Sequence, residues 1–110
     1  MKGKGFMENI VVFITVSNEN EAANIARALV EGKLAACVNI VRNLRSIYSW
    51  QGKIEDEPEV LMIVKTQKKL FNRLSRKVRE LHSYTVPEII ALPIVDGSED
   101  YLKWLKEVTD

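Results

Sequence analysis

The apolar positions of this chain switch repeatedly between strand spacing and helix spacing. Ile10-Val11-Val12-Phe13-Ile14 is continuously apolar and rich in β-branched residues. A run with no polar face predicts a strand covered on both sides, and so a central one. Asn18 and Glu21 follow at capping-box spacing, and Ala22, Ile25, Ala26, Leu29 and Val30 then recur with the period of an amphipathic helix. Gly32 is the expected helix stop.

The stretch "LAACVNIV" over 34–41 predicts a second strand, and its small residues Ala35, Ala36 and Cys37 imply close packing at its start. "RSIYSW" over 45–50 continues extended, with Tyr48 and Trp50 on one face and Ile47 on the other. Gln51-Gly52 reads as a tight turn, 53–59 as a polar return with Pro58 as an edge marker, and "VLMIVKT" over 60–66 as a buried strand. Residues 35–66 are thus one long hairpin with a polar, tryptophan-bearing tip. Thr66 is the expected cap of a second helix with the apolar stripe Phe71, Leu74, Val78 and Leu81. Pro87 forbids its continuation, and "EIIALPIV" over 88–95 is a fourth strand whose Pro93 implies an edge or a bulge. Asp96-Gly97 turns the chain, and Ser98 caps a last helix with Tyr101, Leu102, Trp104, Leu105 and Val108 on its apolar face.

The order β-α-β-β-α-β-α predicts an α+β fold of ferredoxin-like type, an antiparallel sheet with a long β2–β3 hairpin and an extra C-terminal helix. Residues 1–8 are expected to be a flexible N-terminal extension ahead of a single domain over 9–110. One physical gap remains. The two helices inside the βαββαβ pattern cover one sheet face, yet the strands at 10–16 and 60–64 are apolar at successive positions. The last helix is too short to cover the rest, so association with other copies is expected.

Composition narrows the function classes. Sixteen basic and fifteen acidic residues leave a net charge of +1, which gives no electrostatic case for nucleic acid or an anionic membrane. The basic residues of the second helix read as a solvated face. The strands lack the aromatic pattern of an RNA-binding sheet, and no glycine-rich phosphate cradle is present. No membrane span or secretory signal pattern is seen, and the single cysteine, Cys37, excludes an internal disulfide. A reducing, cytoplasmic setting is expected.

Cys37 and His82 are the candidate metal ligands, since thiolate and imidazole suit copper and zinc. Together they cannot close a tetrahedral site, so another subunit, a carboxylate or water must contribute. Each also has a plainer reading: Cys37 as a small buried strand residue, His82 as a helix C-terminal residue favoured by the dipole. Trp50 reads as an interface anchor, Lys65 as a snorkelling lysine or an anion contact, and Glu88 as its pairing partner or a cap for a partner's backbone. Catalysis by a Cys–His pair is not expected, because an apolar small-residue setting quiets a thiol and no orienting group is in evidence.

"LAACVNI", "SIYSWQGKIE", "KT", "LHSYTVPEIIALPI" and "YLKWL" occur in this order over about residues 9–108. The chain thereby resembles the divalent-cation tolerance family, CutA. It departs from the family's usual pattern at Ser83, where proline is common, and at Thr85, where an acidic or amide residue is common. The resemblance implies a ferredoxin-like protomer and a tight homotrimer like that of the PII signalling proteins. It also implies a link to tolerance of copper and other divalent cations, with no obligatory cofactor and no established reaction. It places His82, Tyr84 and Trp50 near an inter-subunit cleft, to which Tyr48, Lys65 and Glu88 are assigned as cleft or interface residues. The alternative reading is a PII-like trimeric sensor with small-molecule ligands in those clefts.

Overall fold

The computed structural model describes residues 8–110. Its elements are β1 (Asn9–Val16), α1 (Glu19–Glu31), β2 (Cys37–Trp50), β3 (Lys53–Gln67), α2 (Phe71–Leu81), β4 (Ile89–Pro93) and α3 (Glu99–Glu107). They form a four-stranded sheet in the order β2-β3-β1-β4, with every described pairing antiparallel. The ferredoxin-like expectation holds, and the strands read as apolar on both faces are the central ones. Seven residues of the expected N-terminal extension, 1–7, lie outside the described part.

Alternation sorts the sheet into two faces. Ile10, Val12, Ile14 and Val16 of β1 and Val60, Met62 and Val64 of β3 are buried with Ile25 and Leu29 of α1 and Leu74 and Val78 of α2. The intervening positions Val11, Phe13, Leu61 and Ile63 point the other way and are only half-buried. On the same open face, Ile90 and Leu92 of β4 are 51% and 47% exposed, opposite Phe13 and Val11. Burying such a side chain contributes ~1.5–3 kcal/mol, so the isolated chain leaves a substantial apolar contribution unrealised. At one end α3 lends partial cover. Gln67 donates through Nε2 to Thr109 Oγ1 at 2.7 Å, and Leu105 is fully buried. Tyr101 and Trp104, expected on its apolar face, are each 39% exposed and pack on one another.

The hairpin turn depends on backbone chemistry at two residues. Gln51 and Gly52 both have positive φ, 51° and 81°, as a two-residue turn matched to strand twist requires. Trp50 and Lys53 close the ladder across it. Beyond Val16, β3 loses β1 as a neighbour, so Pro58 lies where one side of β3 is an edge. A bulge between Val41 and Leu44, with Asn43 at φ 64°, interrupts the β2–β3 ladder at the base of the arm.

Three expectations change on inspection. Gly32 ends α1, but its φ is −83° and Lys33 takes the left-handed conformation. A side chain there would be tight, since an added Cβ would lie 3.0 Å from the Ala28 carbonyl oxygen. Ser98 stands at the N-cap of α3 without a side-chain capping bond. Thr66 does not cap α2. It belongs to β3, which runs on to Gln67 and into a short 3-10 turn, Lys68–Leu70, before α2 begins. The Thr66 hydroxyl instead donates to the Leu34 carbonyl at 2.7 Å, tying the α1–β2 connection to the sheet.

Thr66→Val keeps the shape but leaves that buried carbonyl unpaired. We expect a loss of ~1–3 kcal/mol in urea unfolding at fixed chain concentration. An unchanged midpoint would show that the hydroxyl contributes nothing.

Candidate functional site

The site is assembled where the hairpin arm leaves the body and the chain turns out of α2. His82 ends α2 with its N–H on the Val78 carbonyl at 2.9 Å and its backbone already extended. Its ring turns inward and its side chain is fully buried. Nε2 lies 2.8 Å from the Thr15 carbonyl oxygen, and Nδ1 accepts the Tyr84 N–H at 3.1 Å. A ring nitrogen that accepts an N–H is unprotonated, so Nε2 is the nitrogen that donates to Thr15. With both nitrogens engaged, His82 could ligate a metal only by giving up one of these bonds.

Glu21 anchors the loop after His82. Its Oε2 accepts the Ser83 N–H at 2.8 Å, and its Oε1 accepts the hydroxyls of Ser83 at 2.9 Å and Ser17 at 3.2 Å. Asn18 caps α1 as read from the sequence, accepting the Glu21 N–H at 2.8 Å, but the Glu21 side chain reaches Ser83 rather than completing a capping box. Ser83 therefore supplies two tethers that a proline at this position, lacking an N–H and a hydroxyl, could not. Burial pushes the Glu21 carboxyl upward. The hydrogen bonds from Ser83 and Ser17 outweigh it and hold the carboxyl below its ordinary range.

The tethered loop brings Tyr84 onto the open sheet face. Its ring packs at 4.8 Å from that of His82, and its hydroxyl donates to Glu59 Oε2 at 2.7 Å. Burial and the Glu59 carboxylate push the Tyr84 phenol far above its usual range, so it stays a donor. Glu59 is itself only 7% exposed, although it lies in a run that reads as a polar return. Between arm and loop is a cavity of about 380 Å³, walled by Tyr48, Trp50 and Tyr84 and floored by Thr15 and Glu59. Thr85, Val86 and the exposed Glu88 line it from the loop side. Tyr48 shares its face with Glu55, Glu57 and Glu59; burial and these carboxylates raise its phenol.

Of the candidate residues, the structure thus brings together Tyr48, Trp50, Tyr84 and Glu88, with His82 directly behind them. Lys65 and Cys37 lie elsewhere. They are cross-strand partners near the far end of the open face, where Lys65 Nζ bonds Asn39 Oδ1 and lies 4.0 Å from Cys37 Sγ. Within one chain, Lys65 points to Asn39 and is not among the residues that line the cavity beside Glu88. Within one chain β3 also separates His82 from Cys37: Cys37 lies beside Lys65, whereas His82 bonds Thr15, the partner of Leu61. Among the described residues, no group of at least three His, Cys, Asp or Glu side chains is placed to hold a metal ion.

Fold and site define a ferredoxin-like protein whose extended hairpin carries an aromatic cleft. More particularly, the chain belongs to the CutA1 divalent ion tolerance protein family, whose model matches residues 10–108. It is 56% identical over 99 residues to the divalent-cation tolerance protein CutA of Thermus thermophilus, covering 90% of this chain and 96% of that one. It is 48% identical to human protein CutA over 110 residues, which is 98% of this chain but 62% of the longer human one. Among solved structures, the Thermus thermophilus divalent cation tolerance protein superposes with a TM-score of 0.91 at 54% identity, covering 93% of this chain and 99% of that one. CutA1 from Oryza sativa gives 0.92 at 44% identity, covering 96% of each chain.

The lowered Glu21 carboxyl fixes the sign of one pH effect. A group whose pKa falls on folding contributes stability above its unfolded value, and that contribution is lost as pH drops through the folded one. Glu21→Gln is expected to flatten the acid limb of a urea-midpoint-versus-pH curve in the carboxylate range. Parallel curves for variant and parent would contradict the tether.

Proposed function

We propose that the chain acts as a homotrimeric divalent-cation tolerance protein that binds copper(II) or another divalent ion and catalyses no reaction. The observation that carries this reading is the family match across 10–108, with a relative named for divalent-cation tolerance at 56% identity. The apolar open face supports self-association: Phe13, Ile63, Ile90 and Leu92 give β1, β3 and β4 a surface of the kind that copies of one chain bury. A non-catalytic role is supported by the separation of Cys37 from His82, which leaves the thiol without an imidazole base. The lone free cysteine fits a reducing, cytoplasmic setting. Among the described residues, no helix is long and apolar enough to cross a membrane.

Because the described residues of one chain do not assemble a ligand set, the metal is drawn to side chains of more than one protomer. Cys37, part-exposed on the open face, is the soft ligand available to it, and His82 joins only if its ring releases Thr15 or Tyr84. A second reading, a PII-like sensor with small-molecule ligands in its clefts, is favoured by one observation: the cavity beside Tyr84 has a buried carboxylate in its floor.

Calorimetric titration of the assembled protein with copper(II) and zinc tests the first reading. Saturable binding is expected, tighter for copper and weakened by Cys37→Ala. No saturable binding of either ion would overturn it, and parent-like binding by both Cys37→Ala and His82→Ala would overturn the ligand assignment.

A further inference from the structure

We propose that the cavity between hairpin arm and 82–88 loop is a site for a small organic ammonium ion, a protonated primary amine on a short aliphatic chain, anchored by Glu59. The inference rests on the sensor reading of the cleft and names its ligand class.

Glu59 supplies the first observation. It is more than nine-tenths buried and lines the cavity, and Tyr84 occupies only its Oε2. Oε1 has no hydrogen-bond partner among the described residues and is not sealed from solvent. A carboxylate held this deep gains from a donor that also carries positive charge. Thr15, which lines the same cavity, carries a hydroxyl that can accept from an N–H group.

The walls supply the second. Tyr48, Trp50 and Tyr84 present aromatic rings to the same space, and an alkylammonium is attracted to ring faces while its methylenes are buried against them. The lining charges are those of Glu59 and Glu88, with no lysine or arginine among the lining residues. Glu55 and Glu57 continue the acidic face up the arm; the nearest base along it is Lys53, opposite Trp50 at the turn. Phosphates and carboxylates find no counter-charge among the residues that this chain contributes to the cleft. A bare divalent ion finds one buried carboxylate and aromatic rings where hard cations take about six oxygens.

The test is titration of the intact protein, at constant ionic strength, with 1,4-diaminobutane, tetramethylammonium and succinate, followed by calorimetry and tryptophan fluorescence. The diamine is expected to bind saturably. Tetramethylammonium, which has no N–H for Glu59, is expected to bind more weakly, and succinate not at all. Glu59→Gln keeps an acceptor for Tyr84 and removes the charge; it is expected to weaken diamine binding roughly tenfold or more, as loss of a charge-assisted hydrogen bond does. Trp50→Leu, at the hairpin end, is an independent variant and should also weaken binding. Failure of the diamine to bind, equal binding of tetramethylammonium, or parent-like affinity of both variants overturns the proposal. Succinate binding instead would keep the sensor reading and overturn the ammonium. If no probe binds while the protein is assembled and takes up copper, both cleft readings fall and the family reading stands.

Discussion

The constraint on which the rest of the structure depends is the two-sided apolar character of β1 and β3. Alternate residues of these central strands form the core with α1 and α2, and the residues between them are equally apolar. Helices on one face leave the other open, and α3 covers only the end marked by Gln67 and Thr109. A sheet with this pattern is incomplete as a single chain. Its open face has the composition of an interior surface, and the chemistry of the cleft is laid out along the border of that face.

The cleft follows from how the hairpin outgrows the sheet. β2 and β3 continue together past the end of β1, so the arm keeps cross-strand pairing but loses its neighbour and its helix cover. Tyr48 and Trp50 therefore stand on a projecting strand rather than inside a core. The loop after α2 comes back against them because Glu21 ties Ser83 and His82 ties Thr15. The histidine here acts through structure: its hydrogen bonds orient the loop, and Tyr84 transmits that position to Glu59. This is a small polar network whose Glu21–Ser83, His82–Thr15 and Tyr84–Glu59 bonds cross between elements distant in sequence, so removing one member displaces the others.

Much of this was legible in residue order. Apolar runs and helical spacing marked the elements, and Gln51-Gly52 marked the turn at the tip of the arm that carries Tyr48 and Trp50. The resemblance assigned Tyr84 and Glu88 to an inter-subunit cleft, and within one chain both line the cavity beside Tyr48 and Trp50. Glu59 was missed because 53–59 reads as a solvated return, and its burial is caused by Tyr84 arriving from another element. The signal available was register: across a two-residue turn, Glu55 faces Tyr48, and Glu59 continues the same face. Glu21 was read only as a helix-capping residue, since spacing shows the cap but not Ser83 approaching it. Thr66 was misassigned for a related reason. A threonine before a lysine pair looks like an N-cap, and only tertiary packing reveals the Leu34 carbonyl that takes its hydroxyl.

The central claim is that the open face of the sheet closes on copies of itself. Sedimentation equilibrium of the unmodified chain across the micromolar range tests it most directly. The account predicts the mass of a trimer throughout that range; a clean monomer with the fold intact would contradict it.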